Sequence, residues 1–170
     1  MNKIIRGKTK KYGDNINTDI ISPPAYMELP IKDAAKYSMS PIDIDFAANV
    51  ARGDIFVAGN NMGSGSSRET APLILKELGI NVIIAKSFAR IFYRNCMNVG
   101  IVALECPDTD KITMGDSLEI NLGDGTIKNI TKNEQYNCSK IPNHLLNMVS
   151  CGGLVEYIKN KKAVDMNKEA

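Results

Sequence analysis

The 170-residue sequence has no tryptophan, a single histidine and only 6% aromatic residues. That scarcity leaves no platform on which successive bases could stack. An excess of charge is missing too: 21 Lys and Arg oppose 19 Asp and Glu, for a formal net charge of +2. A nucleic-acid partner, which calls for a clustered basic face, is therefore not expected. No apolar run approaches the ~20 residues that span a bilayer. The N-terminal stretch MNKIIRGKTKKYG has basic residues but no apolar core behind them, so it does not read as a signal peptide. Internal repeats and low-complexity linkers are also absent.

Metal-binding cysteine spacing is another absence. Cys96, Cys106, Cys138 and Cys151 are separated by 9, 31 and 12 residues, and no pair forms Cys-x-x-Cys. Four unpaired thiols suit a reducing compartment. The expectation is a cytoplasmic enzyme or enzyme subunit that holds no metal of its own.

What is present is ordinary for a folded protein: 44% hydrophobic and 24% charged residues. A chain of this length buries roughly 70% of its unfolded surface and needs no staples. One domain over residues 1–170 is expected, with a polar, frayed tail at 161–170.

Along the chain, Lys3 to Tyr12 alternates like an edge strand with a basic outer face. Thr18 to Ile21 reads as a short strand stopped by Pro23 and Pro24. Residues 31–52 read as helical pieces divided by Pro41, with Ala34, Ala35, Phe46, Ala47 and Val50 inward. Asp54 to Ala58 is a buried strand feeding a turn-rich stretch, Gly59 to Gly65. A helix follows, with Ala71, Ile74, Leu75 and Leu78 at helical spacing and Gly79 at its end. Next come a strand at Asn81–Ala85, a helix capped by Ser87, and a strand at Ile101–Leu104. Such alternation implies parallel pairing through right-handed crossovers. Asp116–Leu122 and Thr126–Ile130 form a hairpin around Gly123-Asp124-Gly125, and helices at Pro142–Met148 and Leu154–Lys159 close the chain. The fold class is α/β, a mixed sheet with parallel core strands and an added antiparallel hairpin.

Chemistry concentrates in Gly63-Ser64-Gly65-Ser66-Ser67-Arg68-Glu69. Two glycines permit dihedrals and close approaches that a Cβ forbids. The N–H groups of a helix start then converge on whatever sits before them, and Arg68 adds a planar fork suited to a carboxylate. Small-anion recognition is one reading; a plain helix start is the other. Ser66-x-x-Glu69 matches a capping box, but Pro72 makes Thr70 the better cap, leaving Ser66, Ser67 and Arg68 in the loop. A dinucleotide fingerprint fails because Arg68 replaces the third glycine, and no Gly-Lys-Ser/Thr exists for a phosphate loop. Lys86 and Arg90 fit either a site lining or solvated helix ends. Arg94 and Asn95 fit packing or interface roles equally. His144 lies apart, as a surface residue.

At this loop the chain resembles the swivelling β/β/α domain of the aconitase superfamily, in its free-standing form as the small subunit of 3-isopropylmalate dehydratases. Three blocks carry the resemblance: Asn17-Thr18-Asp19-Ile20-Ile21, Asn61 to Glu69, and Ala85-Lys86-Ser87-Phe88-Ala89-Arg90 running on to Asn95. Gly152-Gly153-Leu154 is a fourth, lesser match. The resemblance implies a hydro-lyase that moves a hydroxyl between neighbouring carbons of a hydroxy-dicarboxylate. It implies Ser66 as the base, Ser67, Arg68 and Gly65 as substrate-binding residues, and Asp19 as an acidic site residue. It places a [4Fe-4S] cluster in a partner large subunit and no cofactor in this chain. Many relatives carry an Arg before a Tyr-Leu pair in the first loop, where this sequence reads Pro24-Ala25-Tyr26-Met27-Glu28-Leu29. By the same resemblance Tyr26, Met27 and Glu28 form a specificity loop, and Glu28 would repel a third carboxylate. An alkylmalate such as isopropylmalate or 2,3-dimethylmalate is then favoured over a homoaconitate-type substrate. Thr70 also stands where relatives often carry His. A non-catalytic anion-binding or regulatory module is the alternative.

Overall fold

The computed structural model describes residues 4–168. Seven strands form one mixed sheet in the order β4-β3-β2-β1-β5-β6-β7. Strand β1 (Ile4–Lys11) is central, parallel to β2 (Ile55–Val57) on one side and antiparallel to β5 (Ser117–Asn121) on the other. β3 (Val82–Ala85) and β4 (Val102–Glu105) extend the parallel half. β6 (Thr126–Asn129) and β7 (Glu134–Asn137) extend the antiparallel half.

The edge position expected for the first strand is therefore corrected. Its alternating exposure suits a central strand equally well, because an antiparallel sheet can leave one face in water. Gly7 marks the close packing: a Cβ there would fall 2.1 Å from the Gly53 carbonyl oxygen. Lys3 lies outside the described residues.

In the parallel half, β2 and β3 read Ile-Phe-Val and Val-Ile-Ile-Ala and are buried throughout. Their helices are α4 (Thr70–Glu77), between β2 and β3, and α5 (Arg90–Val99), between β3 and β4. Ile55, Phe56, Ile83 and Ile84 have no exposed surface, each side chain contributing roughly 1.5–3 kcal/mol of burial. Tyr12, Phe46 and Phe56 pack ring against ring, with centroids 5.1–5.9 Å apart. This rigid frame matters because the loop after β2 grows from its carboxyl end, where open α/β sheets place their ligands.

The segment expected as a second strand is instead one helical turn, α1 (Thr18–Ile21). Asn17 decides this: its side chain accepts from the Ile20 N–H at 2.9 Å. α2 (Ile31–Ala34) and α3 (Phe46–Asn49) are the short pieces flanking Pro41, with Ala34, Ala35 and Phe46 buried and Ala47 and Val50 half-buried. α6 (Asn143–Ser150) and α7 (Leu154–Lys168) close the chain. α7 runs past the expected stop at Lys159 and includes 161–168; residues 169–170 lie outside the description. Among the described residues no helix is long and apolar enough to cross a membrane.

Candidate functional site

The loop from Gly59 to Glu69 is stitched to the chain on both sides. On one side, the Asn15 N–H donates to Asn60 O at 2.8 Å, and the Gly63 N–H donates to Ile16 O at 2.7 Å. On the other, the Met62 N–H donates to Ser87 O and the Ala89 N–H to Met62 O, each at 2.9 Å. Ser87 is therefore not the helix cap expected of it. Its Oγ accepts from the Asn61 N–H at 2.8 Å, and α5 begins only at Arg90. Phe88 precedes that helix and packs edge-on against Tyr93, while Ile91 is exposed.

Gly63 is the residue the turn cannot replace. Its φ is +78°, and a Cβ there would fall 1.9 Å from the Phe92 ring. Gly65 follows at φ +98°. These two left-handed positions reverse the chain so that Ser66, Ser67 and Arg68 face α1. The Thr18 N–H donates to Ser64 O at 2.9 Å, and its hydroxyl donates to Ser66 O at 3.1 Å. Thr18 is buried and clamps the serine from below.

The backbone N–H groups of residues 66–69 meet no protein acceptor among the described residues. They lie in the loop that leads into α4, whose first helical residue is Thr70. Thr70 is not the cap. It is the first helical residue, Glu69 already has helical dihedrals, and no side chain caps the helix. The Ser66–Glu69 capping box is likewise not formed. The Thr70 hydroxyl is buried without a partner.

Arg68 and Asp19 meet. The guanidinium Nη1 lies 2.8 Å from Asp19 Oδ1 and donates to Ser22 O at 3.3 Å. Gly65, Ser66, Ser67 and Arg68 line a cleft of ≈ 130 Å³. Arg90, Phe92 and Asn95 of α5 line it as well. The cleft lining offers an anion the Ser66 and Ser67 hydroxyls and the Arg68 guanidinium.

Tyr26, Met27 and Glu28 do not line this cleft. Tyr26 stacks on Tyr37 with centroids 3.7 Å apart, and Met27 and Glu28 are exposed. Their link to the site is Ser22, which accepts from Arg68 one residue before Pro23-Pro24. Thr18 and Phe92 were missed as site residues; the Asn-Thr-Asp block and the helical face of α5 were the signals available. Lys86 is tied to Asp110, and His144 is exposed on α6, outside the cleft.

A cluster does not fit this chain's donors. No group of three or more His, Cys, Asp or Glu gathers among the described residues. Cys96 and Cys106 are buried, and burial raises both thiols. Burial pushes Cys138 up to about 12. Such thiols are poor metal ligands, because thiolates do the binding.

Residues 4–109 match the family model described as the aconitase C-terminal domain. The 3-isopropylmalate dehydratase small subunit of Methanosarcina mazei is 47% identical over 156 residues, covering 91% of this chain and 96% of that protein. This chain belongs to the 3-isopropylmalate dehydratase small-subunit family. The small subunit of Halothermothrix orenii is similar at 48% identity, covering 91% of this chain and 95% of that one. A solved 3-isopropylmalate dehydratase structure from Methanocaldococcus jannaschii superposes with a TM-score of 0.92 at 41% identity, covering 98% of this chain and 99% of that one. Membership makes this chain a subunit of an aconitase-type hydro-lyase. The swivelling-domain fold and reaction class implied by the three sequence blocks both hold.

Proposed function

We propose that this chain supplies the base and the carboxylate clamp for dehydration and rehydration of an alkyl-substituted malate, 3-isopropylmalate being the first substrate to test. The observation that carries the reading is the gathering of Ser66, Ser67 and Arg68 on one small cleft, with Asp19 paired to the Arg68 guanidinium. In this mechanism Ser66 removes the proton from the carbon beside a carboxylate as the hydroxyl leaves the neighbouring carbon. Rehydration returns both to exchanged positions. A serine needs its alkoxide stabilised, and the free N–H groups of 66–69 with the adjacent guanidinium support that role. One such donor is worth ~2.7–4 kcal/mol where its removal has been measured. Ser67 and Arg68 bind the substrate carboxylate, and Asp19 holds the guanidinium in place.

Ser66 and Ser67 are exposed at this cleft, which supports its being completed by a second chain. The large subunit closes it and, by family resemblance, carries the [4Fe-4S] cluster. The unpaired thiols support a reducing compartment for the pair, the cytoplasm. Neither nucleic acid nor a membrane enters this reading. By the family resemblance, a first loop that carries Glu28 and no Lys or Arg supports an alkylmalate over a homoaconitate-type substrate.

The test is reconstitution with a cluster-bearing large subunit and a panel of alkylmalates. Turnover of 3-isopropylmalate is expected only when both chains are present. Turnover by the large subunit alone, or none with any alkylmalate, overturns the reading.

A further inference from the structure

The turn from Met39 to Asp45 carries its hydrophobic pattern inverted. In Ile42-Asp43-Ile44 the acid is engaged by the protein, and the two isoleucines meet water. Asp43 Oδ2 accepts from the Tyr12 hydroxyl at 2.7 Å, and its Oδ1 accepts from the Asp45 N–H at 3.2 Å. Ile42 is 52% exposed and Ile44 is 79% exposed. The backbone fixes this arrangement. The Ile42 and Asp43 N–H groups both donate to Met39 O, at 2.9 and 2.8 Å, and Met39 is fully buried at φ +63°. Left-handed backbone is uncommon at a bulky residue and persists where the surroundings over-determine it. A single exposed isoleucine is ordinary. Two of them on a turn held this way form an apolar knob that loses little freedom when covered.

The knob stands at the carboxyl end of the parallel strands, the end that carries the cleft. Tyr12, bonded to Asp43, directly follows β1; the serine loop follows β2; Ile91, exposed and in the cleft lining, follows β3. α1 joins the turn to the serine loop. The Met39 N–H donates to Ile20 O at 3.0 Å and the Ser38 hydroxyl to Ile21 O at 2.9 Å, while Thr18 donates to Ser64 O and Ser66 O. Met27, Leu29 and Tyr37 precede the turn. Five of the twelve large hydrophobic side chains exposed among the described residues thus fall between residues 27 and 44. Membership of a small-subunit family gives this chain a large-subunit partner, and the shared-site reading puts that partner over the cleft. We propose that Ile42 and Ile44 anchor the large subunit by entering an apolar socket on its surface beside the shared site. This rests on the reading above and adds the surface by which the partner is held. A few buried anchors carry most of an interface's binding energy.

The test titrates the full chain against the large subunit and reads association directly, by sedimentation or calorimetry, with activity measured separately. I44D is expected to raise the Kd about 10–100-fold and I44A about 5–10-fold. The melting curve of the isolated chain should not move, because Ile44 is exposed there. At saturating large subunit kcat should return to the wild-type value. I130D is the control: Ile130 is 58% exposed but lies just past β6 in the antiparallel half, and its Kd is expected to stay unchanged. If I44D melts early, I44A decides. A wild-type Kd in both Ile44 variants overturns the proposal, as does an equal loss in I130D. A dimer of the isolated chain that I44D dissociates, with the large-subunit Kd unchanged, assigns the knob to a second copy and also overturns it. A wild-type pair that associates but leaves every alkylmalate untouched removes the functional reading, and weaker association of I44D in that pair still supports the anchor. An active pair in which I44D associates normally removes the anchor alone.

Discussion

Asp19 and Arg68 form an ion pair of unequal members: the guanidinium side chain is 19% exposed, the carboxylate 54%, with 2.8 Å between them. With one partner that open to water, the pair contributes only about 0–1 kcal/mol to stability. Its worth is positional, because it fixes which way the guanidinium fork faces.

Asp19→Ala is therefore expected to move Tm by no more than about 4 °C. In the assembled enzyme it should lower kcat/KM about tenfold, as the fork loses its orientation. Calorimetry and steady-state kinetics on the same preparation separate the two effects. An unchanged kcat/KM contradicts the positioning role.

Ser66→Ala is expected to cost about 10²–10⁴ in kcat, the range for a lost general base, with KM little changed. Residue 66 is exposed and contributes its carbonyl, not its side chain, to the contact with Thr18, so the fold should persist. Retained turnover with a normal melting curve removes the base assignment.

Gly63→Ala attacks the loop through its geometry. Left-handed backbone costs a non-glycine residue roughly 1–2 kcal/mol. A Cβ inside the Phe92 ring at 1.9 Å adds overpacking of roughly 1–3 kcal/mol. A lowered denaturation midpoint with an unchanged m-value is the expected outcome. Equal loss in the double variant with Phe92→Ala would show that the backbone, not the ring, carries the cost.

The loop was legible in the sequence because glycine spacing, serines and an arginine each constrain the backbone or the chemistry on their own. Parallel strands β2, β3 and β4 were legible as continuous apolar runs. Short segments were not. Thr18 to Ile21 has the composition of a strand, and one hydrogen bond from the Ile20 N–H to the Asn17 side chain turns it into a helix. β7 reads Glu-Gln-Tyr-Asn, too polar to announce a strand, and only its pairing with β6 makes it one. The cap at Thr70 failed because Glu69 had already entered the helical region, which the sequence does not encode locally. Arg90 was visible as a charge, but its place in the cleft lining was tertiary information.

Acid should loosen the antiparallel half through Asp116. Burial alone would raise this carboxyl. Hydrogen bonds from the Thr113 N–H at 2.9 Å, the Asn129 amide at 2.7 Å and the Thr113 hydroxyl at 3.0 Å, with Lys132 nearby, outweigh it and hold it below the usual carboxylate range. A depressed folded-state value stabilises the fold above the unfolded value, and that stability is lost as pH falls through the folded one. Asp116→Asn is expected to flatten the acid limb of a Tm-against-pH curve below about pH 4. A wild-type curve already flat there contradicts the assignment.

The central place of β1 has a consequence for synthesis. Residues 4–11 leave the ribosome well before their antiparallel neighbour, which ends only at Asn121. The nascent chain can assemble its parallel half early, while the other flank of β1 stays open until most of the polypeptide has emerged. Deleting those eight residues would not trim an edge; it would bisect the sheet into two three-stranded fragments.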